Sequence, residues 1–190
     1  MQFSVADRSI TLNAHEFAEF TTGPIAGGAR RFDPARARLG QLWHDELRRQ
    51  TTKKAPDALF EQPFTRTIVE RGWKICLSGR IDQVLPRPGA PALIREVKTV
   101  TCPLPAAAET LRDDYPQHFI QLALYQRLGL DPEAHGAPPH PGELIFVEPA
   151  TGVIQIIPQS PEEADALFQA RLRDIWAFAE LRRAGLERLR

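Results

Sequence analysis

The sequence contains few cysteines and no long apolar run, and both absences narrow the kinds of protein it can encode. With 2 cysteines among 190 residues, the chain by itself cannot supply the four thiolates of a zinc or iron–sulfur site. No uncharged apolar segment is long enough to cross a bilayer, and no secretory leader pattern opens the chain. We therefore expect a cytoplasmic protein with reduced thiols and no membrane contact.

The sequence also has no net charge, because its 24 basic and 24 acidic residues cancel. Overall charge therefore neither favours nor excludes a nucleic-acid partner. The arginines are unevenly distributed, with one cluster over residues 30–49 and another over residues 171–190. Such clusters can bind phosphates, but most arginine-rich helical segments are ordinary solvated surfaces.

The length and the hydrophobic pattern predict one α/β domain. A chain of 190 residues with 43% hydrophobic composition can bury one core, so we expect a single domain over residues 1–190. The elements are expected in the order helix, helix, three strands, helix, two strands, helix, after a short extended lead. This order predicts a mixed central β-sheet of about five strands flanked by helices.

Local patterns mark several element boundaries. Asn13 is a suitable N-cap for the first helix, and Ser160 with Glu163 forms a capping-box pattern before the last one. An Arg71-Gly72 turn separates two strand-like runs and predicts a hairpin. A helix from about residue 104 is expected to break near Pro116.

The stretch "GRIDQVLPRPGAPALIREVKT" places Asp82, Glu96 and Lys98 in two strand-like runs joined by a Pro/Gly turn. Glu96 and Lys98 share one face of their strand, and antiparallel pairing would bring Asp82 close to Glu96. Two adjacent carboxylates repel each other unless a cation shares them, and oxygen ligands suit Mg²⁺ or Mn²⁺. With a lysine beside them, these groups favour metal-assisted hydrolysis of a phosphodiester.

Each of these residues also has an ordinary structural explanation. Glu96 and Lys98 would form a cross-strand pair on a solvated sheet, and Asp82 would cap a turn. His44, which follows a tryptophan on an amphipathic helix beginning at about Pro34, would be a partly buried structural histidine.

Taken in order along the chain, the motifs resemble the PD-(D/E)XK nuclease superfamily and in particular its RecB-like branch. The resemblance rests on "LGQLWHDEL", "GRID", "EVK" and "QLALY", which together span about residues 10–130. It implies a restriction-endonuclease-like core. The chain lacks the four cysteines of the iron–sulfur subset of this branch, so no iron–sulfur cluster is expected.

The resemblance also implies roles for individual residues. His44, Asp82 and Glu96 would bind Mg²⁺ or Mn²⁺ together with the Val97 carbonyl. Lys98 would position or activate the attacking water.

Two further residues on the following helix complete the implied site. Gln121 and Tyr125 lie one helical turn apart, and they would line the site and help to hold the substrate strand. They could equally be a surface pair on the helix.

The resemblance implies a metal-dependent DNA nuclease that acts on single-stranded DNA or DNA ends in repair or recombination. Since the sequence has no G-x-x-x-x-G-K-[ST] motif, a helicase motor would come from a partner or from a missing region of a larger helicase-nuclease. A silent nucleic-acid-binding or protein-binding module, and an exonuclease of CRISPR adaptation or of a phage, remain alternatives.

Overall fold

The computed structural model describes residues 1–22, 34–130 and 138–188. The Gly/Pro-rich break expected over residues 21–28 and the Pro-rich loop over residues 131–142 fall mostly outside these ranges, as do Arg30 and Arg31. The described elements are, in chain order, β1 (Gln2–Ser4), β2 (Ser9–Asn13), α1 (Ala14–Ala18), α2 (Pro34–Lys54), β3 (Leu59–Glu70), β4 (Trp73–Arg87), β5 (Ala90–Thr99), α3 (Ala108–Asp114), α4 (Pro116–Leu128), β6 (Gly142–Val147), β7 (Ile154–Gln159) and α5 (Pro161–Glu187).

The strands form one seven-stranded mixed sheet in the order β1-β2-β4-β5-β6-β7, with β3 also paired to β4. The β2–β4 and β5–β6 pairs are parallel, and the other pairs are antiparallel. The predicted α/β class with helices flanking a mixed sheet is therefore confirmed, and it is consistent with a restriction-endonuclease-like core. The expected number of about five strands was too small, because β1 and β2 belong to the sheet.

Strand β4 is the centre of this arrangement because it has different partners along its two edges. Along one edge it pairs with β3 over nearly its whole length. Along the other edge it pairs first with β2, up to Ser78, and later with β5, from Gln83 onward. Residues 79–82 therefore lie in a gap between β2 and β5.

Two clusters of buried apolar side chains cover the sheet. The larger cluster packs α1, α4 and α5 against the strands, with Ile10, Ile81 and Ile94 fully buried. The smaller cluster joins Leu47 of α2 to Val97, Ile145 and Val147 of β5 and β6. It holds α2 against the central strands.

Most local predictions agree with the structure. Capping boxes begin α1 at Asn13 and α5 at Ser160, and Pro116 begins α4 after a break at Tyr115. The β3–β4 hairpin turns at Arg71-Gly72, where both residues have positive φ. Within the described ranges, no helix combines the length and the apolar character needed to cross a membrane.

Candidate active site

Strands β4 and β5 separate where the predicted acidic residues lie. Their backbone pairing ends at Gln83 and Arg95, so Asp82 and Glu96 are the first residues beyond it. Instead of a main-chain carbonyl, the Oδ2 atom of Asp82 accepts the hydrogen bond of the Val97 amide, at 2.8 Å. The side chain of Asp82 thereby provides the acceptor for a backbone amide of β5 at the point where the two strands separate.

His44 reaches this gap from α2. Its Nδ1 atom lies 3.7 Å from Oδ2 of Asp82. Burial lowers the pKa of His44, which favours the neutral imidazole that binds metals.

A buried hydrogen bond fixes α2 relative to the strand of Asp82. The hydroxyl of Thr51 donates to Oε1 of Gln83 at 3.1 Å, and the two residues are 8% and 2% exposed. Because Thr51 lies on the helix of His44 and Gln83 adjoins Asp82, this bond ties α2 to β4 next to the His44–Asp82 contact.

Glu96 and Lys98 project into the same buried region. The Nζ atom of Lys98 lies 2.8 Å from Oε1 of Glu96, whereas Oε2 of Glu96 is buried and has no hydrogen-bond partner among the described residues. Burial and the neighbouring Asp82 raise the pKa of Glu96 to about 8, despite the opposing Lys98 ammonium. Burial also raises the pKa of Asp82.

Lys98 remains a cation in this setting. Burial alone would lower the pKa of Lys98, but the Glu96 and Asp82 carboxyl groups outweigh burial and raise that pKa. The site therefore contains one positive charge, the Lys98 ammonium, that interacts with both carboxyl groups.

This donor set fits a divalent cation. Within the described part of the chain, no three side chains are already arranged as a metal site, so the fit rests on chemistry. Divalent cations such as Mg²⁺ and Mn²⁺ bind carboxylate oxygens and neutral imidazole nitrogens. The site offers two adjoining carboxyl groups, one with a buried oxygen open to a ligand, and one neutral imidazole. A bound dication would also offset the two effects that keep Glu96 protonated, its burial and the repulsion by Asp82.

Gln121 and Tyr125 form a pair on α4, as their spacing predicts. The Nε2 amide of Gln121 donates to the Tyr125 hydroxyl at 2.8 Å. Burial and the charge of Glu96 raise the pKa of Tyr125, so its phenol stays neutral. The structure thus brings together His44, Asp82, Glu96, Val97, Lys98, Gln121 and Tyr125, and their chemical roles stay predictions.

Gly79 allows the Tyr125 ring to approach the gap. A Cβ atom at this position would lie 2.7 Å from the Phe64 ring, 2.9 Å from the Tyr125 ring and 3.1 Å from the Cβ atom of Ala14. Since the two ring distances are shorter than real Cβ contacts, a larger residue would require these rings to shift, and glycine fits here without that shift.

Sequence reasoning missed several residues around the site. Thr51 and Glu61 belong to no motif that was recognised, and Arg80, although part of "GRID", was given no role. Gln83 could have been noticed, because it is a polar residue next to Asp82 in an otherwise apolar run.

The chain belongs to the PD-(D/E)XK nuclease superfamily, whose model matches residues 14–187. Among solved structures, that of SSO0001 shares the fold with a TM-score of 0.53 and 17% identity, over 86% of this chain and 75% of that one. No curated protein matches the chain.

Two solved structures with lower TM-scores are named as exonucleases. One is a putative exonuclease from Eubacterium rectale, with a TM-score of 0.49 and 16% identity over 76% of this chain and 53% of that one. The other is LHK-Exo in complex with dAMP, with a TM-score of 0.43 and 11% identity over 99% and 98% of the two chains. Both likenesses are too distant to support an argument about function.

Proposed function

We propose that the chain is a metal-dependent deoxyribonuclease that hydrolyses phosphodiester bonds in single-stranded DNA or at DNA ends. The observation that supports this proposal is the buried pair of carboxyl groups, Asp82 and Glu96, at the separation of β4 and β5. One Glu96 oxygen has no hydrogen-bond partner in the described part of the chain, and the Lys98 ammonium lies 2.8 Å from the other. Membership of the nuclease superfamily supports the same chemistry.

The residues that would hold Mg²⁺ or Mn²⁺ are His44, Asp82 and Glu96 with the Val97 carbonyl. The Val97 backbone is suited to this because its amide is already bonded to Asp82. A divalent ion, when bound, supplies Lewis-acid stabilisation of the charge on a phosphate group.

Lys98 is suited to orient rather than deprotonate the attacking water. Its pKa is raised, so near neutral pH the ammonium donates hydrogen bonds and cannot accept a proton. Placed beside the carboxyl groups, it can hold either the water or a phosphate oxygen. It would also stabilise the negative charge that develops on the phosphate.

Gln121 and Tyr125 would support the substrate strand. Their mutual hydrogen bond fixes both side chains. The raised pKa of Tyr125 keeps its phenol neutral beside a polyanionic substrate. A neutral wall on this side directs the phosphate towards the Lys98 ammonium.

The wider setting is also part of the proposal. We place the chain, as one nuclease domain over residues 1–190, in the RecB-like branch and in cytoplasmic DNA repair or recombination. A helicase in the same chain or in a partner would supply the unwound strand.

The test is cleavage of end-labelled single-stranded DNA with Mg²⁺, with Mn²⁺ and with EDTA. We expect Glu96→Ala and Lys98→Ala to lower the rate by at least about a hundredfold. Glu143→Ala is the matched control, because Glu143 lies on β6 and pairs with Arg95 outside the gap. Circular single-stranded DNA in parallel separates exonuclease from endonuclease action.

Cleavage at the wild-type rate by Glu96→Ala, after contaminating nuclease has been excluded, would overturn the proposal. Calorimetry with Mn²⁺ adds an independent measurement. Retained DNA affinity without any metal binding would instead identify a binding module that has kept the fold.

A further inference from the structure

A cavity of about 260 Å³ opens beside His44 and Asp82. It lies between α2 and the β3–β4 hairpin, on the outer side of the gap in the sheet. Its remaining walls include Arg48, Phe60, Glu61 and Arg80. Two arginines and an aromatic ring next to the proposed metal ligands are groups that bind a nucleic-acid strand.

Arg48 and Phe60 form a stacked pair in this wall. The guanidinium carbon of Arg48 lies 4.8 Å from the centre of the Phe60 ring. Within the described residues Arg48 forms no ion pair, so its charge is available to a substrate. Guanidinium planes and aromatic rings both stack on nucleobases, and they do so only when the base is not already stacked in a duplex.

Glu61 has an unusual backbone conformation opposite Asp82. Its φ is 54°, in the left-handed region that costs a non-glycine residue roughly 1 kcal/mol. The β3–β4 register places Glu61 across from Asp82, and this is the one position between Leu59 and Glu70 where the backbone pairing is interrupted. Strain of this kind persists where the surrounding structure requires it, often at functional sites.

The carboxylate of Glu61 holds the neighbouring arginine. Its Oε2 atom lies 2.6 Å from Nε of Arg80, whose side chain is 69% exposed. The contact uses Nε, so the terminal nitrogens of the guanidinium remain suited to a phosphate group. Glu61 therefore acts as a positioning residue for Arg80 at the mouth of the cavity.

We propose that Arg80, positioned by Glu61, binds a phosphate of the substrate strand, and that the Arg48–Phe60 pair stacks the adjoining base. This inference rests on the proposed function, because the proposed ligands His44 and Asp82 form the inner wall of the cavity. Its volume is below the usual range of small-molecule pockets and suits one unpaired nucleotide rather than a base pair. The cavity thus selects an unpaired strand.

The test measures binding without cleavage. Fluorescence anisotropy in EDTA compares a labelled 12-nucleotide oligothymidylate with a hairpin duplex of 12 base pairs. The variants are Arg48→Gln, Phe60→Leu and Arg80→Gln. The control is Arg87→Gln, an exposed arginine on β4 whose Nε donates to the Pro91 carbonyl, and thermal unfolding verifies that each variant folds.

We expect Arg48→Gln and Phe60→Leu to weaken binding of the single strand by about fivefold or more, with duplex binding unchanged. Arg80→Gln should lower the slope of log affinity against log salt by about 0.7, the value for one phosphate contact on a single strand. Arg87→Gln should change neither quantity.

The inference would be overturned if the variants lost equal affinity for the single strand and the duplex. It would also be overturned if all three variants bound like Arg87→Gln. A wild-type protein that does not bind the oligothymidylate would overturn it as well. The proposed function fails separately: selective binding with no cleavage under any metal condition would remove the nuclease proposal and leave the strand-binding cavity in place.

Discussion

The side chain of Asp82 accepts the hydrogen bond of the Val97 amide, at 2.8 Å, where β4 and β5 separate. One carboxylate thereby satisfies a main-chain donor that would otherwise lose its partner at the end of the ladder. The same carboxylate lies beside His44 and Glu96. A structural bond and a proposed metal ligand therefore share one residue.

The two roles of Asp82 can be separated by substitution. Asp82→Asn keeps an oxygen acceptor for the Val97 amide, so unfolding by urea in EDTA should show stability equal to or above that of the wild type. Asp82→Ala leaves the buried amide unsatisfied and should cost about 1–3 kcal/mol. Equal stability of the two variants would contradict a structural role of Asp82. Both variants should lose the stabilisation that Mn²⁺ gives the wild type.

The raised pKa of Glu96 predicts how stability depends on pH without metal. In the folded protein the Glu96 carboxyl keeps its proton up to a pKa of about 8, against an ordinary value of 4.5. The folded state therefore binds more protons than the unfolded state between these values. The stability that this group contributes is complete below pH 4.5 and is lost as the pH rises through 8.

Glu96→Gln isolates this dependence, because the neutral amide does not titrate. We expect the stability of the wild type relative to the variant to fall between pH 5 and 8 by at most about 1.4 kcal/mol per pH unit. Urea unfolding in EDTA measures it. Saturating Mn²⁺ should stabilise the wild type more than the variant. If the stability of the two proteins depends on pH in the same way in EDTA, the raised pKa of Glu96 is contradicted.

Gly79 should not tolerate even one methyl group. In Gly79→Ala the new Cβ would contact the Phe64 and Tyr125 rings at less than 3.0 Å, so we expect a loss of about 1–3 kcal/mol from overpacking. Gly185→Ala on α5 is the control, because nothing lies within 4 Å of its Cβ position. The control should be neutral or stabilising in thermal unfolding, and the reverse order would refute the close approach.

The Thr51–Gln83 hydrogen bond should affect both stability and metal affinity. Thr51→Val leaves the buried Oε1 of Gln83 without its donor and should cost about 1–3 kcal/mol. The double variant with Gln83→Leu should lose less than the sum of the single losses. Mn²⁺ titration should show weaker binding, because His44 and Asp82 are no longer held in register.

The neighbouring hydroxyl provides the control for this pair. Thr52 is exposed and donates to the Arg48 carbonyl within the same helix, so Thr52→Val should leave both measurements close to wild type. Strict additivity of the two single substitutions at the buried pair would show that the bond does not couple α2 to β4.

The backbone strain at Glu61 predicts a substitution that stabilises the protein at the expense of substrate binding. Glu61→Gly relieves a φ of 54° and should raise stability by up to about 1 kcal/mol. Thr65→Gly in the same strand has no such strain to relieve and should destabilise. Thermal unfolding of the two variants in parallel measures this difference. Destabilisation of similar size in both variants would argue against backbone strain at Glu61.

The sequence-based prediction succeeded where structure depends on neighbouring residues. The hairpin around Arg71-Gly72 and the capping boxes at Asn13 and Ser160 are local patterns, and each agrees with the structure. Strands β1 and β2 were missed because they have only 3 and 5 residues. Strand β2 depends on pairing with β4, more than 60 residues away along the chain, and β1 joins the sheet through β2. No local pattern reports such a distant partner.

The candidate site divides in the same way. Asp82, Glu96 and Lys98 were predicted because charged residues interrupt apolar strands, and their proximity follows from one turn. Glu61 and Thr51 were not predicted, since their significance depends on a cavity and on the packing of α2. These are properties of the folded chain that no spacing of residues expresses.

The gap between β2 and β5 along the edge of β4 also bears on how the protein can be shortened. The superfamily match begins at residue 14, yet β2 ends at Asn13 and pairs with β4 up to Ser78. A protein trimmed to the family boundary would leave that stretch of β4 as an open edge, free to recruit a strand from another molecule. The first 13 residues thus cover an edge of β4 that would otherwise be open to another strand, next to the gap that contains Asp82.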